Sequence, residues 1–153
     1  MAYLFDTNHC IYLMNGWNAP EHKLSPQEKC TVTAFNSRRE EVLYMSEASV
    51  GELLYGVERS QRKAYNRSRL NILLSAIPPV PVTRQVWEIY GQTKGELSKT
   101  GKIIPDIDLL IASTSKYYQL ILVAHDKHMT YLPASFVREN WASGNENINE
   151  QTI

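Results

Sequence analysis

Five consecutive apolar residues, Leu120-Ile121-Leu122-Val123-Ala124, leave no polar face for a strand to turn toward water. A strand of that kind belongs inside a parallel sheet covered by helices on both faces. The run is far too short to cross a membrane. One such strand therefore asks for a layered α/β architecture, and for other strands beside it.

The remaining pattern supplies them. Residues 2–5 are a short apolar run, followed by the cap-forming Asp6-Thr7-Asn8 and a helical stretch over 9–14 that Asn15-Gly16 ends. Ser25-Pro26-Gln27-Glu28 is a helix start, with a cap serine, proline at the first helical position and a glutamate to close a capping box. Residues 41–48 read as a second strand. Ser49 to Glu52 repeats the capping-box spacing, and a helix runs on from there. A further helix is expected over 62–76 before Pro78 and Pro79, and a very short strand at 80–82. Thr83 caps a helix with Val86, Ile89, Tyr90 and Leu97 on one face, and Gly101 ends it. Asp106-Ile107-Asp108 opens the helix before the apolar run, and a last strand or turn lies near Phe136 and Val137. Strands alternating with helices imply a three-layer α/β/α sandwich with a central parallel sheet.

The 153 residues fit one domain, taken as 1–142, with a polar and disordered tail expected over 143–153. Sixteen basic and sixteen acidic residues cancel, so the global charge argues for neither nucleic-acid nor membrane binding, and any basic footprint must be local. Two cysteines, Cys10 and Cys30, make neither a disulfide framework nor a zinc cluster and read as reduced thiols. With no signal-peptide pattern and no membrane span, a cytoplasmic protein is expected.

The acids carry the chemistry. Asp6 follows the first strand, Asp126 follows the apolar run by two residues, and Glu52 and Asp108 are expected in the first turns of their helices. Strand C-termini and helix N-termini of a parallel sheet share one edge, where ligands bind. Converging carboxylates repel and need a positive compensator. Oxygen donors suit Mg²⁺ or Mn²⁺ rather than zinc, one ion or two, and such a site supports phosphodiester hydrolysis. Each acid also has a local explanation, as helix cap, dipole partner, capping-box member or turn residue. Asp106 is read as an exposed acid before the helix that helps recruit an ion. Thr7 and Asn8 are either hydrogen-bond partners of the ligands or helix caps. His9, His125 and His128 are read as surface or supporting residues. Arg59, Arg62, Lys63 and Arg67, with Arg69 and Tyr65, form a local basic run that tracks an RNA backbone, is a solvated helix face or makes a protein contact. Tyr44, Tyr55 and Tyr90, with Leu53, Leu54 and Val57, are assigned to the core or a subunit interface.

Four segments in order, YLFDTN, SVGELLYGVERS, GKIIPDIDLLIAS and LILVAHDKHM, followed by Trp141, resemble the PIN-domain ribonucleases, and most closely the VapC-like toxins of type II toxin–antitoxin systems. The resemblance implies Mg²⁺- or Mn²⁺-dependent cleavage of RNA, a homodimer, and silencing by a VapB-like antitoxin. Carried over by position, Asp6, Glu52, Asp108 and Asp126 match the family's four acids, as metal ligands and catalytic residues. Asp106 matches none of them. Ala124 stands where many relatives have Thr or Ser, and residues 15–41 are longer than in compact relatives. Two other classes remain: a binding-only module on the same fold, and a metal-dependent phosphatase. Against the phosphatase, FDTN lacks the second acid of an aspartyl-nucleophile motif.

Overall fold

A computed structural model describes residues 1–17 and 19–143. Apart from Ser143, the expected polar tail lies outside them, as does Asn18 of the loop after the first helix. Among the described residues are five strands, in the order β3-β2-β1-β4-β5 and all parallel, and six α-helices. The elements are β1 (Ala2–Phe5), α1 (Thr7–Gly16), α2 (Pro26–Ser37), β2 (Val42–Ser46), α3 (Glu47–Arg59), α4 (Lys63–Ala76), β3 (Pro79–Val80), α5 (Arg84–Lys99), α6 (Asp106–Tyr117), β4 (Ile121–Val123) and β5 (Arg138–Glu139). This is the three-layer sandwich that the apolar run demanded.

Side chains alternate across β1, so its two faces feed two cores. Tyr3 and Phe5 join Leu43, Met45 and Val123 on one face, under Leu13 of α1, Leu53 and Val57 of α3, Leu70 and Leu73 of α4, and Trp141. Leu4 and Leu122 turn to the other face, under Leu97 of α5, Leu109 and Ile111 of α6, and Phe136. Helix α6 buries every residue from Leu109 to Ser115. Its Ser113, Thr114 and Ser115 hydroxyls donate to Leu109, Leu110 and Ala112 carbonyls at 2.7–2.8 Å, so no buried hydroxyl there lacks a partner.

Local signals place most boundaries. The Ser25–Glu28 capping box makes both of its hydrogen bonds, at 2.8 and 3.1 Å. Thr83 accepts from Val86 N–H, and Gly101 has φ +69°, a conformation that costs glycine little. Residues 26–37 fold as α2 against α1, where a methyl on Gly16 would collide with Val32. One junction differs from expectation. The second strand ends at Ser46, not 48, and α3 begins at Glu47, because Ser46 Oγ takes the cap by accepting from Ala48 N–H at 3.1 Å. Ser49 therefore lies buried inside the helix, the Ser49–Glu52 box does not form, and Glu52 sits in the second turn. The short strands also shift: β3 is Pro79–Val80 and β5 is Arg138–Glu139.

Candidate active site

At the C-terminal edge of the sheet, a cleft of about 300 Å³ is lined by Asp6, Glu52, Asp108 and Asp126, with Thr7, Asn8 and Ile11 of α1 and Tyr55, Gly56 and Arg59 of α3. Residues 52, 55, 56 and 59 share a face of α3 by their spacing. Acids up to 120 residues apart in the chain thus meet in one place.

Asp6 is the N-cap of α1 and only 4% exposed. Its Oδ1 accepts from His9 N–H and from His9 Nδ1, both at 2.8 Å, and its Oδ2 accepts from His125 N–H at 3.3 Å. His9 is fully buried, which corrects the surface reading and keeps the supporting one. The backbone N–H of Trp141 donates to His9 Nε2 at 3.2 Å. An amide can only donate, so Nε2 accepts and Nδ1 carries the hydrogen that reaches Asp6. A relay from Trp141 through His9 therefore orients Asp6. The sequence hinted at it through the i, i+3 spacing of Asp6 and His9, but nothing in the sequence located Trp141.

Glu52 is exposed, and Thr7 Oγ1 donates to its Oε1 at 2.5 Å. Asp6, not Thr7 or Asn8, caps α1, so Thr7 is a hydrogen-bond partner of Glu52 and Asn8 lines the cleft. Asp126 accepts from His128 N–H at 2.8 Å and from His128 Nδ1 at 2.6 Å. These hydrogen bonds hold its carboxyl below the usual range, and the charges of His128 and Lys127 add to the effect. Asp108, half-buried in the first turn of α6, goes the other way and is pushed up to about 6. Burial is the main cause, and the charges of Glu52, Asp126 and Asp6 raise it further.

Asp106 departs from its expected role. It is the first residue of α6, where Lys94 Nζ and Tyr90 Oη of α5 donate to it at 2.7 and 2.8 Å. The hydrogen bonds and charge of Lys94 lower its pKa. Its charge is spent on tying α5 to α6, and it does not line the cleft. Of the basic run, Arg59 alone lines the cleft. Arg62 stacks on Tyr65 at 3.9 Å, Lys63 pairs with Glu58 at 3.4 Å, Arg67 is exposed, and Arg69 donates to Met14 O and Asn15 Oδ1 at the end of α1. Tyr55 is 65% exposed, not core, whereas Leu53 and Val57 are buried. Ala124 is buried on the α6 side, so no hydroxyl stands at that point beside Asp126.

The donors suit a hard divalent cation. They are carboxylate oxygens, and their mutual repulsion at Asp108 is the kind a cation relieves. Among the described residues, no three His, Cys, Asp or Glu side chains are drawn close enough as they stand to hold an ion. The acids line an open cleft rather than a closed cage.

A fold of this topology with four acids at one edge defines a class, and the comparisons agree. The PIN domain model matches residues 3–134, and the chain belongs to that family. It is 32% identical to ribonuclease VapC2 of Rickettsia felis over 142 residues, covering 92% of this chain and 98% of that one. It is 25% identical to the tRNA(fMet)-specific endonuclease VapC of Shigella flexneri, over 93% and 99% of the two chains. The crystal structure of VapBC2 from Rickettsia felis bound to a promoter DNA fragment superposes with a TM-score of 0.75 at 30% identity, covering 92% and 99%. VapBC-1 from nontypeable Haemophilus influenzae gives 0.73 at 26% identity, over 94% and 100%. Among the described residues, no helix is long and apolar enough to cross a membrane.

Proposed function

We propose that this chain is the toxin of a type II toxin–antitoxin pair, an endoribonuclease that hydrolyses RNA phosphodiesters with Mg²⁺ or Mn²⁺ at Asp6, Glu52, Asp108 and Asp126. The observation that carries this reading is the meeting of all four carboxylates in one cleft, where the other three help hold Asp108 near 6. A cation held there supplies Lewis acidity toward water and a phosphodiester oxygen, and it offsets charge in the transition state. The protein's part is positioning. His9 and the His125 amide fix Asp6, Thr7 fixes Glu52, and His128 fixes Asp126. Arg59 at the rim meets the phosphate backbone.

The similar solved structures are VapBC complexes, which supports a VapB-like antitoxin as partner; a homodimer and a cytoplasmic site of action complete the reading. The test is cleavage of a panel of mRNA and structured RNA, tRNA included, by purified protein. We expect cleavage with Mg²⁺ or Mn²⁺, none in EDTA, and none by Asp6→Asn or Asp108→Asn. Failure to cleave any RNA while the ion still binds would favour a binding-only module.

A further inference from the structure

The Asp126–His128 pair stands between two clefts. Asp126 lines the acidic one; His128 lines a second, open cleft of about 420 Å³ with Gly101, Lys102, Ile103 and Tyr131. The loop that carries Gly101 to Ile103 leads directly into the first turn of α6 and so to Asp108. The hydrogen-bonded Asp126–His128 pair is thus the wall that the two clefts share.

Their chemistry is opposite. Among the described residues, no carboxylate lines the second cleft. Ile103 is 77% exposed and Tyr131 40%, so an apolar and an aromatic side chain stand open to solvent there. Lys102 Nζ lies 5.9 Å from the Tyr131 ring centroid, and among the described residues it has no carboxylate within ion-pair distance. The His128 ring meets the Tyr131 ring edge-on at 6.1 Å, which fixes the tyrosine from one side. An exposed ring with an ammonium group beside it matches what a single-stranded nucleotide offers, a flat base and a phosphate.

We infer that this second cleft is a nucleotide subsite for the RNA strand: a base stacks on Tyr131 against Ile103, and the adjoining phosphate meets Lys102. The shared Asp126–His128 wall selects RNA over a protein segment, because a strand whose scissile phosphate lies at the acids must leave the cleft past one of its walls. Arg59 lines the acidic cleft, and the Lys102–Tyr131 cleft adjoins it across the Asp126–His128 pair. The inference rests on the ribonuclease reading above and adds where the substrate runs.

The experiment measures binding without cleavage. In an Asp6→Asn background, fluorescence anisotropy with a short fluorescein-labelled single-stranded oligoribonucleotide compares Lys102→Ala, Tyr131→Ala, Tyr131→Phe and Arg59→Ala, each checked by thermal melting. Tyr131→Ala is expected to weaken binding about tenfold and Tyr131→Phe to restore it, since stacking needs the ring and not the hydroxyl. Lys102→Ala is expected to flatten the slope of log affinity against log salt by about 0.7, the loss of one phosphate contact. If Arg59→Ala weakens binding while the Lys102 and Tyr131 variants match their parent, the subsite is wrong and the ribonuclease reading survives. Variants that keep RNA affinity but lose a partner protein would make the cleft a protein-docking surface, which also overturns the inference. If the parent neither binds nor cleaves RNA, the ribonuclease reading falls and takes the subsite with it.

Discussion

Asp108 on α6 and Asp126 after β4 face the same cleft, yet their titrations move in opposite directions. Asp126 has a histidine that donates twice to one oxygen; Asp108 has burial and three carboxylates for neighbours. The difference shows how one cleft divides its labour. Asp126 is held ionised by the protein's own donors, and Asp108 is left with its charge uncompensated among the other acids.

The largest expected effect comes from removing the unpartnered acid. Asp108→Asn should lower RNA cleavage by more than about 100-fold, beyond the 10- to 100-fold typical of losing a residue that only supports a ligand. Stability should move the other way. Folded Asp108 holds its proton up to about 6, against an ordinary 3.8, so its ionisation destabilises the cation-free fold as pH rises through that window, and the full cost is present above it. At neutral pH in EDTA, Asp108→Asn should therefore gain roughly 1 kcal/mol after solvent screening, a gain that fades on acidification to about pH 4. Thermal melts at both pH values check this. A variant less stable than its parent at neutral pH would break the contrast between the two acids.

His128→Ala attacks the other side. A depressed carboxyl contributes stability above its unfolded pKa and loses that stability as pH falls through the folded value. Without His128, Asp126 should titrate higher, and about 0.5 kcal/mol should disappear at neutral pH but not in strong acid. A carboxyl-detected NMR titration of Asp126 reads the shift directly, and an unmoved resonance would assign the depression elsewhere.

The smallest effect should be at Asp106. It is exposed and already paired with Lys94, so Asp106→Asn should change kcat/KM on RNA and Mn²⁺ affinity by less than about twofold, within the range of surface substitutions. A loss comparable with that of Asp108→Asn would restore the reading of Asp106 as an acid that helps recruit an ion.

Much of this was legible without coordinates. The apolar run at 120–124 required helices on both faces of a parallel sheet, and that requirement located Asp6, Glu52, Asp108 and Asp126 at one edge before any distance was known. The Ser25–Glu28 box, the Thr83 cap and the Gly101 stop also read correctly, because each is made by residues three or four apart whose geometry the backbone fixes locally. The Ser49–Glu52 box had the same spacing and failed, since Ser46 offered a competing cap three residues earlier and the strand's end decided between them.

What the chain's order could not specify was which side chains from different helices would meet. Lys94 and Asp106 pair because α5 packs beside α6, His9 Nε2 is met by the Trp141 N–H from 132 residues further along the chain, and Arg59 reaches the cleft while Arg62 and Lys63 find partners elsewhere. Local hydrogen bonds and hydrophobic period are written in short stretches of sequence, so the sequence itself determined the layers and the acidic edge. Charge pairing and burial depend on the packing of elements far apart in the chain, so only the tertiary structure decided which acids stayed unpartnered in the cleft.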